Sequence, residues 1–99
     1  MFEETARQWV RDMFKEGKLS GCDEEFLKQL TKDYARQLEE IFTCEVKKNL
    51  EKSGRVGEFE RMLLYDSQYI NKYLNQTIPG YPGFRTNVFD MARKIILGF

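Results

Sequence analysis

The stretch DEEFLKQLTKDYARQLEEIFTCEVKKNLEK, Asp23 to Lys52, decides how the rest of this chain is read. Its apolar side chains Phe26, Leu27, Leu30, Tyr34, Leu38, Ile41, Phe42, Val46 and Leu50 recur at steps of three and four, the period of an amphipathic helix. Asp23 or Ser20 can cap its start, and Ser53-Gly54 supplies a glycine stop. At 1.5 Å per residue such a helix runs roughly 45 Å, whereas a compact domain of this length is about 30–35 Å across. The helix must therefore bend, project from the body, or meet a second subunit. Thr43-Cys44 is the point of weakest helix propensity and the expected place for a bend.

The flanking segments are helical too. Phe2, Ala6, Trp9, Val10, Met13 and Phe14 form an apolar stripe on a first helix, with Gly17 as its stop. After Gly54-Arg55-Val56-Gly57, Glu58 to Leu64 gives a short helix, and Asp66 reads as the cap of another over Ser67 to Asn75. Pro79-Gly80 and Pro82-Gly83 each suit a turn. A last helix is predicted from Thr86 or Asn87 to about Leu97, with Val88, Phe89, Ala92, Ile95, Ile96 and Phe99 facing inward. The expected fold is all-α, a single domain over residues 1–99 of four to five helices, one long central helix with shorter helices packed around it. The core should centre on Trp9, Met13, Phe26, Leu30, Leu38, Ile41, Phe42, Phe59, Leu63, Ile70, Leu74, Val88, Ala92, Ile95 and Ile96.

Composition excludes much chemistry. The 99 residues contain no histidine, which removes Ser-His-Asp and Cys-His nucleophile pairs and HExxH metal chemistry. Glu24-Glu25, Glu39-Glu40 and Glu58/Glu60 sit on polar faces beside lysine or arginine, so they read as solvated carboxylates rather than catalytic pairs. No GxxxxGK[ST], GxGxxG or calcium-loop pattern occurs, so no cofactor or metal is expected, and no enzymatic activity. Cys22 and Cys44 form no CxxC pair and read as two reduced, partly buried thiols. The acidic N-terminal residues and the absence of a long apolar run give no secretory signal or membrane span, so a cytoplasmic location is expected.

The order Glu58-Phe59-Glu60-Arg61-Met62-Leu63, Asp66, Ile70, Tyr73-Leu74, Ile78-Pro79, Val88 and Ala92 resembles a family of short helical bacterial domains of unknown function. In that family a long amphipathic helix precedes an EFE-type turn, an acidic cap, a short helix and an Ile-Pro break. The resemblance covers Leu19 to Leu97 and implies an all-α fold and a bacterial origin. It carries no activity and assigns no residue a role.

Function has to be sought in contact. Tyr65, Tyr69 and Tyr73 are spaced i, i+4, i+8, with Tyr81 and Phe84 just beyond, and tyrosine ridges are common interface residues. The same rings could instead edge the core. Val46 and Leu50, at the far end of the long helix, form a second candidate surface. These features lead to the expectation of a non-catalytic protein-interaction module, acting as an inhibitor or adaptor or self-associating as a dimer. The alternative is a nucleic-acid-associated protein using Arg85, Arg93 and Lys94 on the last helix. The sixteen bases and sixteen acids argue against it, since residues 53–99 carry a net charge of only +2.

Overall fold

The computed structural model describes residues 2–19 and 21–98. Ser20, the alternative cap, and Phe99, expected to face inward, lie outside them. Five α-helices follow in order: α1 (Glu3–Lys15), α2 (Glu24–Glu51), α3 (Val56–Tyr65), α4 (Ile70–Thr77) and α5 (Tyr81–Leu97), with a 3-10 turn (Ser67–Tyr69) between α3 and α4. The long helix starts as expected, with the Asp23 carboxylate accepting the Phe26 N–H at 2.8 Å. Two helices end in the same way. Gly17 and Gly54 adopt φ near +78° and +71°, and the next amides reach back to the Met13 and Leu50 carbonyls. That is the Schellman closure, which needs a residue without a Cβ at the left-handed position.

The geometric mismatch resolves through the shape of the whole molecule. The 28 residues of α2 span about 42 Å, and the body measures 48 × 25 × 17 Å, so α2 has to lie along its long axis. The radius of gyration, 15.1 Å, exceeds the about 13 Å of a compact domain of this size. No break interrupts α2 at Thr43, whose hydroxyl donates to the Glu40 carbonyl.

α1 folds back along α2, and α5 packs on α2 from the other end. Three rings tie these helices together: Phe2, Phe42 and Phe89 meet edge-on, with centroids 5.0, 5.5 and 5.9 Å apart. Leu38, Phe42, Val46 and Leu50 are almost wholly buried against Phe59, Ile70, Leu74, Ile78, Tyr81, Val88 and Ala92. The Lys47–Glu60 ion pair, 3.3 Å, links α2 to α3 on the surface, where such pairs contribute little.

The core differs from expectation at four positions, since Met13 and Leu30 are only half-buried and lie outside the central cluster. Phe26 is 50 % exposed and Ile95 64 % exposed. Phe26 stands in the first turn of α2, where α1 covers one side and nothing covers the other. On α5, Val88 and Ala92 turn inward while Met91 and Ile95 form an outward i, i+4 pair. The last helix also begins earlier than expected. Pro82 occupies its first turn, where a missing N–H removes no helical hydrogen bond, and the Phe84 N–H closes the turn on the Gly80 carbonyl. Only Pro79-Gly80 is therefore a turn. Asp66 makes no side-chain cap.

Replacing Phe42 by alanine should destabilise the chain by about 3–5 kcal/mol, against under about 1 kcal/mol for Phe26→Ala. Chemical denaturation of the two variants measures the difference. Similar losses would mean that the arm carrying Phe26 is as tightly packed as the centre.

Candidate functional site

The tyrosine ridge does not survive folding as one surface. Tyr65 ends α3, Tyr69 closes the 3-10 turn and Tyr73 lies in α4, because Asp66 leaves helical geometry at φ −137°, ψ 38°. An i, i+4, i+8 spacing aligns side chains only along one unbroken helix. Tyr65 (79 % exposed) and Tyr69 (53 %) face solvent beside Leu64 (77 %), whereas Tyr73 and Tyr81 are buried. Phe84 is half-buried against the core. Val46 and Leu50 are wholly covered by the chain's own helices and are core residues, not a free surface. Cys44 is exposed and Cys22 half-buried, both free.

Two of the buried tyrosines differ in how their hydroxyls are satisfied. Tyr81 donates to Asn71 Oδ1 at 3.0 Å, joining α5 to α4. The Tyr73 hydroxyl is buried and makes no well-formed hydrogen bond among the described residues, with the Glu58 carboxylate and Thr77 hydroxyl close enough to act on it. Burial raises both pKa values. The Glu58 carboxylate pushes Tyr73 further up, while the Arg85 guanidinium partly offsets the rise at Tyr81.

Three surfaces remain as candidates. One is the arm formed by α1 and the first half of α2. All four buried residues of α2 lie from Leu38 onward, so Glu24 to Gln37 contribute none. Phe14, in the last turn of α1, is 53 % exposed and Phe26 equally so, both at the loop end of this hairpin. Leu27, Leu30 and Met13 on the arm are only half-buried. A second surface is the Leu64–Tyr65–Tyr69 corner. The third is an open groove of about 750 Å³ between α4 and the start of α5, lined by Asn71, Lys72, Asn75, Tyr81, Pro82, Arg85 and Thr86.

Of the cations singled out in the sequence, only Arg85 lines this groove; its guanidinium rests over the Phe89 ring, 4.3 Å from the centroid. Arg93 and Lys94 lie two turns further along α5 and line none of the groove. Lys72, Asn71, Asn75 and Thr86 were not singled out. They are isolated polar residues on two helices, and only the Pro79-Gly80 turn faces them toward one another. Among the described residues, no cluster of three ligating side chains could hold a metal. Nor, among the described residues, is any helix long and apolar enough to cross a membrane. Compared with protein families, curated proteins and solved structures, the chain matches none. Any functional reading therefore rests on these surfaces.

The two hydroxyls should separate on mutation. Tyr73→Phe removes a polar atom with no well-formed hydrogen bond and should be neutral or slightly stabilising, while Tyr81→Phe loses a hydrogen bond and should cost about 1 kcal/mol. An unfolded tyrosine ionises near about pH 10, and the folded state holds both protons longer. The stability linked to these groups is thus full below about pH 10 and is lost as the pH rises through the raised folded values. Denaturation at about pH 9 and 11 should show a smaller loss in the Tyr73→Phe/Tyr81→Phe double variant than in the unmodified chain. Equal losses would contradict the assignment.

Proposed function

We propose that the chain is a non-catalytic helical interaction module that self-associates through the open face of its α1–α2 arm. The observation that carries the reading is the distribution of burial along α2: its four fully buried side chains, Leu38, Phe42, Val46 and Leu50, all lie in the second half, while Glu24 to Gln37 reach only partial burial. A two-helix hairpin has no third element to cover its apolar edge, and a second hairpin would complete a four-helix bundle.

Charge and area support a second copy as the occupant. Residues 2–37 hold seven Lys/Arg and eight Asp/Glu, a net −1 with both signs interspersed, so two arms meet without net repulsion. The accessible surface is 6700 Å² for 11.8 kDa, against about 5900 Å² for a typical monomer of that mass. The excess, about 800 Å², goes with the elongated body and leaves ample surface for one side of a standard interface, about 800 Å².

Sedimentation of the full chain should reveal a dimer with a dissociation constant of about 1–100 µM. Phe14→Glu and Phe26→Glu should each give a monomer with unchanged helicity, since both side chains are already half in water. A strict monomer at about 1 mM would overturn self-association. Dimers that survive both arm variants but vanish in Leu64→Glu or Tyr65→Glu would move the interface to the α3 corner and overturn the arm.

A further inference from the structure

We infer that the groove between α4 and the start of α5 is a binding site for a small organic phosphate of mononucleotide size. The inference is independent of self-association, because the groove and the arm share no residue.

The first support is the electrostatic character of the groove. Of its seven lining residues two are cations, Lys72 and Arg85, and none is acidic. Four cations elsewhere stand in surface ion pairs, Arg7–Glu4, Lys18–Glu16, Lys47–Glu60 and Lys48–Glu45. Neither Lys72 nor Arg85 has an ion-pair partner among the described residues. In a chain with equal numbers of acids and bases, two unpaired cations facing one concavity make a local positive field.

Preorganisation is the second support. Arg85 is held by its stacking on Phe89, and its Nε is buried without an acceptor. Its buried Nε is out of reach of a ligand, but the terminal NH2 groups, which have no carboxylate partner among the described residues, match the multiply accepting edge of a phosphoryl group. Asn71 is fixed by accepting the Tyr81 hydroxyl at 3.0 Å, which commits its oxygen and leaves its NH2 free to donate. Pro82 in the wall marks the first turn of α5, so the positive end of a 17-residue helix borders the same space.

Size selects the ligand class. The groove is open rather than enclosing, and its roughly 750 Å³ leaves room along it for a body attached to a phosphoryl group, more than inorganic phosphate alone fills. Lys72 and Arg85 would take the phosphoryl group, and Asn71, Asn75 and Thr86 line the remaining space with hydrogen-bonding groups for a polar body such as a sugar or base.

Titrating the full chain with adenosine monophosphate, inorganic phosphate and adenosine, followed by amide NMR shifts, tests the inference. Saturable shifts confined to residues 71–75 and 81–86 are expected with the monophosphate. Inorganic phosphate should bind the same residues more weakly, and adenosine should not bind. Lys72→Gln and Arg85→Gln should each weaken the monophosphate about tenfold or more, while Arg93→Gln and Lys94→Gln leave it unchanged. Lys72 is exposed, so its variant remains informative if loss of the Arg85 stack perturbs folding. No saturable shift at about 5 mM monophosphate would overturn the site. So would equal affinity for adenosine, or loss of binding only in the Arg93 and Lys94 variants. A short single-stranded oligonucleotide that binds through Arg93 and Lys94 while the monophosphate does not would replace the inference with nucleic-acid binding.

Discussion

The edge-on contact of Phe2, Phe42 and Phe89 is the constraint on which the rest of the structure depends. Phe2 precedes α1, Phe42 sits past the middle of α2 and Phe89 lies halfway along α5, so one cluster joins segments far apart in the chain. Each such ring pair adds about 0.5–1.5 kcal/mol beyond the area it buries. The cluster also fixes register. With Phe2 held at the level of Phe42, α1 can only run back along the first half of α2, and α5 covers the second half.

From that register follows a molecule in two parts. Beyond Phe42, α2 packs against α3 and α5, with the α4 side chains Ile70 and Leu74 in the same cluster, and its inward side chains are almost fully dry. Before Leu38 it has α1 alongside, and apart from Tyr34, which reaches the core, its apolar side chains are only partly covered. The same amphipathic stripe thus does two jobs along one helix. Its C-terminal half builds a core, and its N-terminal half presents a partly wet apolar edge. The groove at the opposite end arises from the same economy of elements, because the short α4 meets α5 only near the Pro79-Gly80 turn and leaves a concavity beside it.

Much of the fold was legible because local rules and tertiary packing agree. Asp23, Gly17 and Gly54 end helices where side-chain capping and left-handed geometry demand it, and the 3.6-residue period located every helix. Boundaries failed where a rule has two outcomes. Pro82-Gly83 suits both a turn and a helix start, and packing of Tyr81 into the core chose the helix. The tyrosine spacing misled because it assumed continuity across Asp66. From the sequence Val46 and Leu50 read as surface because their stripe runs the whole length of α2, and nothing local tells which half finds partners. Of the groove only Arg85 was visible, since a lone lysine and two asparagines on a short helix carry no pattern.

The sequence by itself determined the helices, their ends, and the absence of histidine chemistry, all of which depend on residues within a turn or two of one another. Only the tertiary structure decided which apolar residues are covered, which tyrosines face water, and that Lys72 and Arg85 share a groove. Burial and juxtaposition depend on register between distant segments, and here one cluster of three rings sets that register.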